Sequence, residues 1–113
     1  MSEIYHKQIQ NKVKELIGKM YKLTDDRIAS LDPEKNLFQE IGIDSLEAFD
    51  AVVTLHEVLG VEIPRDIDPS TISNLGQLSN YLGTTYTPDV VQKLLDLNVE
   101  ELLAQRASND DSL

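Results

Sequence analysis

Apolar residues recur at spacings of three and four along most of the chain, and no segment sustains apolar-polar alternation or carries a hairpin turn signal. An all-helical architecture follows. Ile9, Val13, Leu16, Ile17 and Met20 form one stripe, which predicts a first helix over residues 3 to 22, capped by Ser2, with lysines on its other side. A long connection from Leu23 to Gly42 is rich in Asp, contains Pro33, and has Ile28, Leu31, Leu37 and Phe38 as apolar anchors. Loops of that length are usually functional or pinned to the core at several points. A second helix starts where Asp44 is a preferred N-cap and Glu47 stands in capping-box position, and it runs from Ser45 to Leu59 before Gly60. Beyond an extended Val61-Glu62-Ile63-Pro64, Asp68-Pro69 reads as N-cap and first residue of a short third helix. Ser73 or Asn74 opens a fourth, with Leu75, Leu78 and Leu82 at helical spacing and Gly83 as its stop.

The second helix carries two apolar stripes where a surface helix needs one. Ala48, Val52, Leu55 and Leu59, with Ala51 beside them, suit a core; Leu46, Phe49 and Val53 continue on an adjacent face. Buried, that second stripe is only a wide core face. Rimmed as it is by Glu47, Asp50 and Glu57, it has the pattern of a partner-docking surface. Ser45 falls on the first turn, where free N–H groups and the positive end of the helix dipole favour a phosphate.

After Gly83, Thr87-Pro88-Asp89 is a helix start, and Val90, Val91, Leu94, Leu95, Leu102 and Leu103 make an amphipathic face. Asn98 either caps a separate helix or marks the weak middle of one. An isolated helix this short is marginal in water, so residues 87 to 104 are expected either to dock their Val90, Leu94 and Leu95 face on the bundle, away from Ser45 or over Leu46 and Phe49, or to be a linker or partner-bound segment that is disordered when free. From Ala107 onward the residues have nothing to bury, and disorder is expected.

Composition narrows the function. The 113 residues, 41% of them hydrophobic, suit one modest core of the soluble globular class, and the absence of cysteine excludes disulfides, thiolate metal sites and an endogenous reactive thiol. No apolar run is long enough for a membrane span and the N-terminus lacks a secretory core, so a cytoplasmic location is expected. Twenty acids against ten basic residues give a net charge of -10, which repels nucleic acid and anionic lipid and favours basic protein partners. The excess is local. Six acids (Glu40, Asp44, Glu47, Asp50, Glu57, Glu62) and no Lys or Arg lie between Gln39 and Pro64, whereas residues 1 to 22 hold five lysines. For any single acid a solvated face is the simpler explanation, but six of one sign without counter-charge make it less adequate.

The stretch from Asn36 to Tyr81, reading NLFQEIGIDSLEAFDAVVTLHEVLGVEIP through Pro64, resembles an acyl carrier protein of fatty-acid and polyketide synthesis. The Asp-Ser-Leu tripeptide alone is not specific, because the chain ends in a second copy, Asp111-Ser112-Leu113, with no helix after it. Context supplies the specificity: the lead-in of Leu37, Phe38 and Ile41, the Gly42 turn, the acidic helix, and the Glu62-Ile63-Pro64 exit. The resemblance implies a small bundle of three longer helices and one short one, with the long connection pinned. It implies 4'-phosphopantetheine on Ser45 through a phosphodiester, whose thiol holds an acyl group as a thioester. A phosphopantetheinyl transferase, and acyl ligases, synthases or transferases with basic patches, would dock on the helix after that serine. Asp44, Leu46, Glu47, Phe49, Asp50, Val53 and Glu57 are then the candidate docking residues. Carrier domains of this family end near Gly83, which divides the chain into a carrier domain, 1-83, and a C-terminal helical extension, 84-113. That extension, and Phe49 where the family more often has an aliphatic residue, suggest a specialised free-standing carrier, expected to be a monomer.

Catalysis by Ser45 requires a base within reach, and His6 and His56 are the two histidines. His56 is eleven residues along the same helix, roughly 16 Å at about 1.5 Å per residue. Both histidines are expected at the surface, and neither they nor the acids have the spacing of a metal site. A non-catalytic carrier without metal is the expectation. Two alternatives remain, an aminoacyl or peptidyl carrier and, in a different class, an unmodified acidic helical adaptor.

Overall fold

The computed structural model describes residues 2–111. Seven α-helices are present among them: α1 (Ser2–Met20), α2 (Asp25–Ala29), α3 (Leu37–Ile41), α4 (Ser45–Leu59), α5 (Leu75–Thr85), α6 (Pro88–Leu95) and α7 (Val99–Asp111). Ile9, Val13, Leu16 and Ile17 place the apolar stripe of α1 in the centre of the molecule, fully buried, with Met20 partly buried at its end. Around it stand α5, contributing Leu75, Leu78 and Leu82, and α4, contributing Ala51, Val52, Leu55 and Leu59. Periodicity predicts α1, α4 and α5 as helices around this core.

The connection from Leu23 to Gly42 is pinned, and it contains two five-residue helices that propensity does not reveal. Thr24 caps α2 by accepting from the Arg27 N–H, and Asn36 caps α3 by accepting from the Gln39 N–H. Ile28, Leu31 and Leu37 are its buried anchors. A polar clasp closes it: Arg27 Nη2 donates to the Glu40 carbonyl at 2.6 Å, while the Glu40 carboxylate accepts from the Asp32 N–H at 3.2 Å. The short third helix expected after Asp68 is a single 3-10 turn, Pro69–Thr71, with Asp68 Oδ1 accepting from the Ser70 N–H at 3.0 Å.

Gly83 does not stop α5. The helix continues to Thr85, and Tyr86, in extended conformation, ends it. Gly83 serves packing instead, since a Cβ there would lie 2.9 Å from a His6 ring carbon, and the missing side chain lets α1 and α5 approach.

Residues 88 to 111 form two helices, not one. The turn at Asp96–Asn98 separates them, and Asn98 Oδ1 accepts from the Glu101 N–H at 3.0 Å as an N-cap. Val91 and Leu94 of α6 and Val99 of α7 belong to the same apolar core as α1, α4 and α5, with Val90 and Leu95 partly buried at its edge. Lys12 Nζ donates to the Leu97 carbonyl at 2.8 Å, and Lys19 pairs with Glu100 at 3.0 Å, so lysines of α1 hold the α6–α7 corner. Disorder was expected from Ala107, but the backbone of α7 is helical to Asp111, because no Gly or Pro interrupts the helix after Val99. Ser112 and Leu113, the end of that expected tail, lie outside the described residues.

Both histidines depart from the surface placement expected of them. His6 is half-buried, and His56 is 2% exposed. His56 Nδ1 lies 2.7 Å from the Val52 carbonyl, which can only accept, so Nδ1 carries the proton and Nε2 accepts from the Tyr81 hydroxyl at 2.8 Å. Tyr81 and Tyr86 hydroxyls sit 3.1 Å apart with the rings edge to face. With Nε2 taking the Tyr81 proton, Tyr86 donates to Tyr81. Burial, and then the Tyr86 hydroxyl, hold the Tyr81 phenol far above its ordinary pKa. Both ring nitrogens are thus satisfied, which removes most of the cost of burying an imidazole between α4 and α5.

Candidate functional site

Three local features place Ser45. Gly42 ends α3 in the left-handed conformation, at φ 79° and ψ 32°, and its N–H and that of Ile43 both return to the Phe38 carbonyl at 3.0 Å. Nothing lies within 4 Å of where a Cβ would stand on Gly42, so backbone conformation alone favours glycine there. Asp44, extended at φ -85° and ψ 179°, then caps α4: its Oδ1 accepts from the Glu47 N–H at 2.9 Å and Glu47 Oε1 accepts from the Asp44 N–H at 3.3 Å. Ser45 becomes the first residue of α4, exposed to solvent. The cap and the Ala48–Asp44 bond use the N–H groups of Glu47 and Ala48. Helix geometry leaves those of Ser45 and Leu46 without intrahelical acceptors, next to the serine hydroxyl.

An open groove of about 930 Å³ begins at Ser45. One wall is α4 through Ala48, Phe49 and Val52; the other is made by Phe38 of α3 and by Ile63, Ile67 and Ile72 of the segment between α4 and α5. Its floor is apolar. Asn36, Gln39, Asp44, Ser70 and Ser73 supply a polar edge, with Asp44 the one acid and Arg65 the one cation among the described lining residues. The segment from Ile63 to Ser73 holds its shape through Ile72, which is 3% exposed, and through the Leu37 N–H, which donates to the Ser73 carbonyl at 2.8 Å. Among the described residues, none of α6 or α7 lines the groove.

The other face of α4 looks to solvent. Leu46 is 79% exposed and Phe49 57%, Val53 is half-buried, and Asp44, Glu47, Asp50 and Glu57 are exposed around them. The second apolar stripe is therefore surface, not core, and the candidate docking residues sit together along one helix beside Ser45. Phe49 belongs to both features, lining the groove while remaining largely exposed. On the flank facing α1, the Tyr21 hydroxyl donates to the Glu47 carbonyl at 2.7 Å. Burial raises the pKa of that phenol, followed by the charges of Asp50 and Glu47.

Neither histidine lines the groove, and His56 has both nitrogens engaged elsewhere. Among the described residues no group of three or more His, Cys, Asp or Glu side chains is placed to hold a metal ion. None of the described helices is long and apolar enough to cross a membrane. What the arrangement offers is an exposed hydroxyl at an anion-favouring helix end, an apolar groove leading from it, and an acidic helix face. The periodicity that marks α4 as a two-faced helix gives no sign of the groove, whose second wall comes from residues 36–39 and 63–73. It also misses Arg106 of α7, whose Nη1 donates to Thr54 Oγ1 of α4 at 2.8 Å. One signal was present: Arg106 is the only basic residue after Lys93.

Residues 11–82 match the family model described as the phosphopantetheine attachment site. No solved structure matches the chain.

Proposed function

Because the chain belongs to the family of phosphopantetheine attachment domains, we propose that it is an acyl carrier whose 4'-phosphopantetheine is linked to Ser45. Domains of this family carry that cofactor covalently, are themselves non-catalytic, and depend on a phosphopantetheinyl transferase and on synthetic enzymes. Its thiol, when present, supplies the thioester chemistry that a chain without cysteine lacks. In this reading residues 1-83 are the carrier domain, 84-113 a helical extension, and the cargo is presented to enzymes of fatty-acid, polyketide or related lipid synthesis.

Residues around Ser45 fit the cofactor. The hydroxyl is exposed for attack, and the first turn of α4 favours the phosphodiester that results. No histidine stands in the groove among the described lining residues, and in this reading the Ser45 proton leaves to the transferase. Asp44 is spent as a cap, orienting the turn rather than accepting a proton. Leu46, Phe49 and Val53, rimmed by Asp44, Glu47, Asp50 and Glu57, form the surface that a basic enzyme patch grips. We place the protein in the cytoplasm as a monomer.

One observation carries the choice of an acyl cargo over an aminoacyl or peptidyl one: the groove that starts at Ser45 is floored by apolar side chains. An aliphatic chain folded into it leaves water at a gain of about 0.8 kcal/mol per buried CH2, whereas the one acid among the described lining residues, Asp44, stands at the Ser45 end with its carboxylate engaged as the α4 cap, so an ammonium group on the apolar floor loses solvation unpaired. Intact-mass analysis of protein from its native host tests this. The expected form carries an aliphatic acyl group released by hydroxylamine, as a thioester is; a releasable amine-bearing group would instead favour an aminoacyl carrier.

A further inference from the structure

Glu47, Asp50, Thr54 and Glu57, at spacings of three, four and three, form one row along α4. Thr54 is the exception in an acidic row. It is 2% exposed, and its Oγ1, which donates to the Asp50 carbonyl at 2.9 Å, accepts from Arg106 Nη1 at 2.8 Å. Arg106 stands there for reasons traceable to α7. Val99, Leu102, Leu103 and Arg106 share one helix face, with Val99 2% exposed and the two leucines half-buried, so the arginine ends the stripe that packs α7 on the bundle. Lys12 and Lys19 fix the start of α7 on α1, which leaves the guanidinium at the mid-point of the α4 row. The Tyr21 hydroxyl, which donates to the Glu47 carbonyl at 2.7 Å, stands at the same row of α4.

We propose that Arg106 is a selectivity residue for partner docking: it holds one positive charge inside the acidic row of α4 and so weakens the grip of a partner whose docking patch is uniformly basic. This rests on the carrier reading. The extension then does more than add core. Among the described residues none of Asp44, Glu47, Asp50 and Glu57 is in a salt bridge, and Arg106, seated on Thr54, divides their row. A basic patch that spans the division meets like charge at its centre, and like-charge contact lowers encounter rate in proportion to how little salt screens it.

The experiment is the second-order rate of modification by a phosphopantetheinyl transferase with coenzyme A, measured on the full chain. Arg106→Ala should raise the rate about three-fold at low ionic strength, the effect expected of one unit charge several ångströms away in solvent, and the gain should fade by about 0.5 M salt. Arg106→Lys keeps the charge and should stay at the wild-type rate. Lys7→Ala makes the same change in net charge from an exposed position on α1 and should leave the rate unaltered. An unchanged rate in Arg106→Ala overturns the inference, as does an equal gain in Lys7→Ala, which would mark an effect of net charge. A gain in Arg106→Lys as large as in Arg106→Ala overturns it too, by tracing the effect to lost packing of α7. Wild-type protein that is never modified contradicts the carrier reading itself, and the inference falls with it.

Discussion

Leu94→Ala should destabilise the protein by about 3 kcal/mol. Leu94 lies on α6 with no exposed surface, in the core shared with α1 and α4, so truncation removes buried carbon and leaves a cavity that two long helices cannot collapse into. Buried leucines cut to alanine cost roughly 2–5 kcal/mol, part of it transfer free energy and part cavity. At about 4 °C per kcal/mol for a chain of this size, the melting temperature should fall by roughly 10 °C. Urea denaturation followed by far-UV circular dichroism measures the loss directly, and a single transition in both proteins shows that α6 unfolds with the bundle. Gln92→Ala, on the exposed side of the same helix, should change stability by no more than about 0.5 kcal/mol. Modification by a transferase should proceed at an ordinary rate in both variants, because α6 contributes nothing to the groove. A loss below about 0.5 kcal/mol for Leu94→Ala would refute the reasoning, since it would mean that α6 is not seated in the core.

Two further outcomes follow from particular contacts. Tyr81→Phe leaves the buried Nε2 of His56 without its donor and should cost about 1–3 kcal/mol in urea denaturation, more than the lost hydroxyl would explain at an exposed site; an unchanged midpoint would show that water serves the imidazole instead. Asp50→Lys with Glu57→Lys reverses two exposed charges without touching the capping box and should slow modification about ten-fold at low salt, with helicity retained and the difference shrinking as salt rises; rates indifferent to charge and salt would leave the acidic face a solvated surface.

The long helices were legible in the sequence because local and global signals agree in them. In α4 an apolar stripe of period 3.6 coincides with a cap at one end and Gly60 at the other, and Asp44 with Glu47 closes the box it promises, whereas α1 is legible by its stripe alone, since Ser2, the expected cap, lies within the helix. The two five-residue helices of the connection were not legible, since one turn and a half has no periodicity and its formation depends on Ile28, Leu31 and Leu37 finding the core. Gly83 misled for a related reason: a glycine needed for close packing against His6 looks the same in sequence as one that ends a helix. His56 misled because its burial depends on a tyrosine 25 residues away whose hydroxyl reaches its ring. The position of Ser45 needed only the turn, the cap and the helix that follow one another along the chain. The groove and the Arg106 contact are tertiary, assembled from segments that no local pattern connects.

Conversion by a phosphopantetheinyl transferase with coenzyme A, followed by peptide mass analysis, tests the attachment most directly. The wild-type protein should gain one phosphopantetheine on the peptide containing Ser45, Ser45→Ala should gain none, and Ser112→Ala should be modified like the wild type. A Ser45→Ala variant that is still modified, or a wild-type protein that resists several transferases, would contradict the account.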